Sequence, residues 1–136
     1  MAESNEERVR SANDEIIGNG NLDVVDQIFS SDYVVHTGDK DYKGTQFVRR
    51  FVNQLRSAIP DIRVGEVEIL MQKDDTITWQ RTLSGTHQAS MMGIPPSGKS
   101  VEWRDILVTR FDGEQIIEEW AVSDLAGQLL LKLPPA

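Results

Sequence analysis

Two strand-like runs, VEWRDILVTR over 101–110 and QIIEEWAVSD over 115–124, flank Phe111-Asp112-Gly113-Glu114. Asp-Gly between apolar-rich runs predicts a two-residue hairpin loop, because both residues tolerate the φ > 0 values of a type I′ turn. A loop at Asp112-Gly113 sets Phe111 opposite Glu114, Leu107 opposite Glu118 and Asp105 opposite Trp120. Side chains alternate faces along a strand. One face then carries Trp103, Asp105, Leu107, Thr109, Ile116, Glu118, Trp120 and Val122. The other carries Glu102, Arg104, Ile106, Val108, Arg110, Ile117 and Glu119. Acids among aromatics on one face predict a pocket there.

The segments around this hairpin set the class. Ser4 and Glu7 form a capping-box pattern, and Val9, Ala12, Ile16 and Ile17 follow at helical spacing up to Gly18. A second helix is expected to start at Asn21 or Asp23. Tyr33 to His36 is a short β-prone run, and 38–44 reads as polar loop. A third helix is expected over 45–59, with Phe47, Val48, Phe51, Val52, Leu55 and Ile59 forming its apolar stripe. Strand patterns follow over 62–71 and 76–87, then a loop over 89–100. The tail over 125–133 is apolar and could form a short helix. Helices first and long antiparallel strands after predict an α+β fold. We expect a cone-shaped, curved antiparallel sheet with three N-terminal helices packed on it, enclosing a pocket, in a single domain over 1–136.

Composition narrows the function classes. The 136 residues carry Lys+Arg 14 against Asp+Glu 22, a net charge of -8. That charge argues against nucleic acid and anionic membrane as partners. There are no cysteines, so disulfides, thiolate metal sites and cysteine nucleophiles are excluded. Two separated histidines without a third ligand give no metal site. The N-terminal MAESNEERVR is too charged for a signal peptide, and no apolar run reaches membrane-spanning length. A cytoplasmic protein is expected. GIPPSGKS over 93–100 fits the phosphate-loop pattern letter for letter. It precedes a strand rather than a helix, and Pro95 and Pro96 remove two backbone donors, so nucleotide binding is rejected.

Several short motifs stand in order: Tyr33-Val34-Val35-His36, Pro60-Asp61-Ile62, Gly85-Thr86-His87, Gly93-Ile94-Pro95-Pro96-Ser97-Gly98-Lys99, Gly113 to Trp120, and Asp124. Together they resemble the SnoaL-like polyketide cyclases of the nuclear transport factor 2-like superfamily. The resemblance covers nearly the whole chain. It implies an α+β cone with a deep pocket and cofactor-free chemistry. It also implies a carboxylate acid/base on the last long strand, close to a polar group on the preceding strand. The family acid is an aspartate and its partner often a histidine; the inward candidates here are Glu118 and Asp105.

These residues define the expected site. Two carboxyls diagonal on one strand pair lie roughly 5–8 Å apart. In a dry pocket one can hold a proton while the other stays ionised, which suits proton abstraction beside a carbonyl. Asp105 can equally pair with a buried arginine such as Arg81, and Glu118 can equally sit at the rim. Asp105, Glu118 and His36 are the catalytic candidates. His87, Trp79, Trp103, Trp120, Phe51, Met91 and Met92 are the ligand-binding candidates. The expected ligand is a small apolar carbonyl compound, handled without cofactor by aldol closure or isomerisation. The alternative is a non-catalytic binding or dimerisation module of the same fold. Ile106, Val108 and Ile117 on the outer face predict a homodimer.

Overall fold

The computed structural model describes residues 3–135. Helix α1 (Asn5–Ala12) opens on the expected capping box: Ser4 Oγ accepts the Glu7 amide at 3.1 Å and Glu7 Oε1 accepts the Ser4 amide at 3.4 Å. The helix continues as a π-helical stretch, Asn13–Gly18. Asn13 Nδ2 donates back to the Val9 carbonyl at 2.9 Å. Such back-bonding competes with the ordinary ladder and bends or loosens a helix. A 3₁₀ turn (Leu22–Val24) leads into the four-residue α2 (Val25–Ile28).

Strand β1 (Phe29–Thr37) begins at once, running through Ser30-Ser31-Asp32. The expected polar loop at 38–44 is instead a hairpin. Gly38 turns the chain at φ 59°, and β2 (Lys40–Lys43) pairs back on β1. With only Tyr42 apolar among its four residues, β2 carries no hydrophobic alternation to betray it. Helix α3 (Thr45–Ala58) buries Val48, Val52, Leu55 and Ala58 along the expected stripe. The remaining elements are β3 (Arg63–Lys73), β4 (Thr76–Thr86), β5 (Ser100–Asp112), β6 (Gln115–Ser123) and α4 (Leu125–Leu131).

The six strands form one sheet in the order β2-β1-β6-β5-β4-β3. The β1–β6 pair is parallel and the rest antiparallel. Register shifts occur in the β1–β6, β3–β4 and β5–β6 ladders. Each bulge bends and twists its strand, and together they curl the sheet around the helices. The sheet stays unclosed, as the strand order requires. β5 alternates buried and exposed over nearly its whole length. Two apolar clusters fill the concave side. One gathers α1, β1 and the middle of the sheet; the other joins Leu55 and Ile59 to Val101, Trp103, Leu125 and Leu129.

The β5–β6 hairpin departs from the expected register in two ways. Asp112 pairs with Gln115 and Phe111 with Ile116, so the loop is Gly113-Glu114. Glycine leads it at φ 61°, as a type II′ turn requires. This slip of two residues preserves facing. The second departure reverses it: Arg110 pairs with Glu118, leaving Ile117 as an extra, bulged residue. Beyond Ile117, Glu119, Ala121 and Ser123 face inward, while Glu118, Trp120 and Val122 face outward. Trp120 is 41% exposed and Val122 71%.

Candidate active site

The concave side encloses a cavity of about 470 Å³, within the range of small-molecule sites. β4 supplies Trp79 and Arg81, and β5 supplies Trp103, Asp105 and Leu107. Tyr33, Glu119 and Asn13 reach it from β1, β6 and the π-helical stretch, and Phe51 from α3. Most of the wall is apolar; the polar groups gather at two stations.

The first station is an ion pair. Arg81 Nε donates to Asp105 Oδ2 at 2.9 Å, and Nη1 donates to Asn13 Oδ1 at 2.9 Å. Both charged side chains are buried. The guanidinium carbon also lies 5.4 Å from the Trp79 ring centroid, a cation–π distance. Asp105 Oδ1 is buried and has no hydrogen-bond partner among the described residues. An orphaned acceptor of this kind costs about 1–3 kcal/mol.

The second station is a hydroxyl–carboxyl chain. Tyr33 Oη donates to Glu119 Oε1 at 2.8 Å, and Thr109 Oγ1 donates to Glu119 Oε2 at 2.5 Å. Trp79 Nε1 donates to the same Thr109 hydroxyl at 2.9 Å. Among the described residues no cation touches Glu119 directly. Burial raises its carboxyl above the usual range, against the pull of its two donors and of Arg81. Burial, and then the Glu119 carboxyl when it is ionised, push the Tyr33 phenol well above its ordinary value.

The site-residue expectations divide accordingly. Asp105, Trp79, Trp103, Phe51, Met91 and Met92 stand on the cavity wall. Asp105 also makes the Arg81 pair, so both of its sequence-level readings coexist in one residue. Glu118, Trp120 and His36 are not on the wall. The Ile117 bulge turns Glu118 to the outer face, where it accepts from Arg110 at 2.8 Å and meets His36 Nε2 at 2.7 Å. His36 Nδ1 meets Asp41 at 2.7 Å, and its ring stacks on Trp120 with centroids 5.1 Å apart. Hydrogen bonds from His36, then from Arg110, hold the Glu118 carboxyl below its usual range. Hydrogen bonds to Glu118, then Asp41, hold the His36 ring above its own.

His87 is fully buried but off the cavity wall, and neither ring nitrogen finds a partner among the described residues. Its motif acts structurally. Thr86 donates its amide and its hydroxyl to Asp61, each at 2.7 Å, which lowers the Asp61 carboxyl. A Cβ on Gly85 would collide with Ile59 and the Ile62 backbone. Asp124 likewise accepts the Arg104 amide at 2.7 Å and closes the hairpin. The phosphate-loop look-alike is an irregular loop running straight into β5 at Ser100, with no helix after it. Met92 and Gly93, both with φ > 0, form a tight turn where it begins.

Glu119, Tyr33 and Asn13 are the cavity residues that the sequence did not point to. Glu119 was hidden by the bulge. Tyr33 carried a signal, since it shares a face with Val35, but that face could be assigned only by the strand's position beside β6.

A curved sheet packed by helices around an apolar cavity that holds buried acids is the nuclear transport factor 2-like fold. The model of the SnoaL-like polyketide cyclase family matches residues 7–130, and the chain belongs to that family. Among solved structures, AclR of Streptomyces galilaeus, a candidate hydroxylase, is 27% identical. The match covers 96% of this chain and 100% of that one, with a TM-score of 0.76. A candidate SnoaL-like polyketide cyclase from Jannaschia sp. CCS1 is 24% identical over 99% of each chain, TM-score 0.82. IdmH of Streptomyces antibioticus, a candidate polyketide cyclase, is 22% identical over 95% of this chain and 98% of that one, TM-score 0.71. No curated protein gives a significant match.

Proposed function

We propose that this protein is a cytoplasmic, cofactor-independent enzyme that moves a proton next to a carbonyl on a small, mainly apolar substrate. Aldol closure or isomerisation would follow from the resulting enolate. Family membership supports the enzyme class, and the apolar wall supports the ligand class. The observation that carries the reading is Asp105. Asp105 lines the cavity; Arg81 fixes one of its carboxylate oxygens, and the other is buried with no donor among the described residues. A carboxylate so held is paired and oriented through Oδ2 and desolvated at Oδ1. It can take a proton from a carbon placed against Oδ1, as a general base must. Trp79, Trp103 and Phe51 would clamp the apolar body of the substrate.

The test uses 2-tetralone, an apolar ketone with acidic α-protons. The protein should accelerate exchange of those protons in D₂O, followed by proton NMR. Asp105→Asn should lower the exchange rate by about 10²–10⁴-fold, the usual worth of a positioned proton-transfer group. The variant also weakens the Arg81 pair, so rates are compared well below its melting temperature. Binding of 2-tetralone without any exchange would instead support a non-catalytic binding module.

We also propose a homodimer formed through the outer face of the sheet. Ile106 is 45% exposed there, and the bulge adds Trp120 and Val122 to it. Large apolar side chains grouped on one exposed face favour self-association.

A further inference from the structure

We propose that Tyr33, backed by a protonated Glu119, donates the proton that the ligand oxygen receives. The inference rests on the proposed reading of the cavity and adds its acid to the base already placed. Among the described residues the cavity wall holds two carboxyls, Asp105 and Glu119, and one guanidinium, Arg81. Arg81 spends its ion pair on Asp105. Glu119 is left with neutral hydroxyl partners, 6% exposed. A buried carboxylate without a cation is costly, and a proton removes that cost. One ionised and one neutral carboxyl also leave the cavity balanced against a single Arg81. Burial drives the Glu119 carboxyl in this direction.

Hydrogen-bond bookkeeping then settles where the proton sits. The Trp79 indole N–H donates to Thr109 Oγ1, and the Thr109 hydroxyl in turn donates to Glu119 Oε2. The proton of neutral Glu119 is therefore on Oε1, facing Tyr33 Oη. Tyr33 donates to Oε1 while Glu119 is ionised; once Glu119 is neutral that bond reverses, so Tyr33 accepts and its own hydrogen is free for a ligand oxygen in the cavity it lines. The step balances. Asp105 takes a proton from the α-carbon as the enolate forms. The Tyr33 O–H bond breaks as the ligand oxygen gains that proton, and the Glu119 proton moves to the Tyr33 oxygen. The cavity starts with Asp105 ionised and ends with Glu119 ionised, so its net charge never changes.

Two measurements on the full chain test this. Infrared difference spectra at neutral pH should show a protonated-carboxyl band that persists in Glu118→Gln and vanishes in Glu119→Gln. A wild-type protein without that band overturns the proposal, whatever its activity. In the 2-tetralone assay, Tyr33→Phe should lower exchange by about 10²-fold and weaken 2-tetralone binding by about tenfold, the worth of one neutral hydrogen bond. Tyr33→Phe with wild-type exchange and affinity overturns the donor role. A wild type that binds 2-tetralone without exchanging it defeats the proposed reaction alone. The band and the affinity of Tyr33→Phe then still decide whether this pair addresses the ligand oxygen.

Discussion

His36 has a carboxylate on each ring nitrogen, Asp41 and Glu118, so the doubly protonated ring is the form its surroundings favour. Its pKa in the folded chain is raised above the ordinary value, chiefly by Glu118. A raised folded pKa contributes stability that is fully present below the unfolded value of about 6.5 and is lost as pH rises through the folded value. Glu118 works in the opposite sense. Its lowered pKa contributes stability above the unfolded value, lost as pH falls through the folded one. Thermal melts of wild type and His36→Gln should therefore differ most on the acid side of His36's titration and converge as pH rises past it. A difference independent of pH would show that the ring acts by packing on Trp120 alone. His36 was legible as an unusual residue but not as an outer-face one. Its orientation depends on β1 lying parallel to β6, where His36 pairs with Trp120, 84 residues on.

At the scale of elements, close approach constrains the chain most where α3 meets β4. Gly85 leaves no room for a side chain against Ile59 and Ile62, and Thr86 clamps Asp61 beside it. Gly85→Ala should cost about 1–3 kcal/mol, as overpacking usually does. Urea denaturation with an unchanged midpoint would show that α3 can shift to admit the methyl group. The helices, the long strands and the alternation of β5 were all readable from periodicity, because each buries one face. What was not readable is the bulge at Ile117. A bulge inserts one residue and exchanges the faces beyond it. Two adjacent glutamates, Glu118 and Glu119, then trade places between cavity and surface. No pattern within EQIIEEW marks the bulge, since Ile116 and Ile117 are both apolar. The residues before it, Trp103, Asp105, Leu107 and Thr109, fell on the expected face.

The whole molecule presents two proposed functional surfaces on opposite sides of one sheet. The concave side holds the cavity with Asp105, Arg81, Tyr33 and Glu119. The convex side exposes Ile106 and Trp120, while Val122, 71% exposed at the end of β6, also borders the cavity. If the convex side is a dimer interface, light scattering at micromolar concentration should give twice the 15.3 kDa chain mass. Trp120→Lys should then give a monomer whose cavity still binds ligand, because Trp120 is absent from the cavity wall. A wild-type monomer would contradict the dimer. The division of the two faces is the central claim, and the three tryptophans report on it directly. Trp79 and Trp103 line the cavity; Trp120 stacks on His36 outside it. The most direct measurement is an ¹⁵N–¹H spectrum of the three indole groups during titration with 2-tetralone. The Trp79 and Trp103 resonances should shift together and saturably while Trp120 stays in place. A titration that moves Trp120 and leaves the other two unmoved would contradict the account.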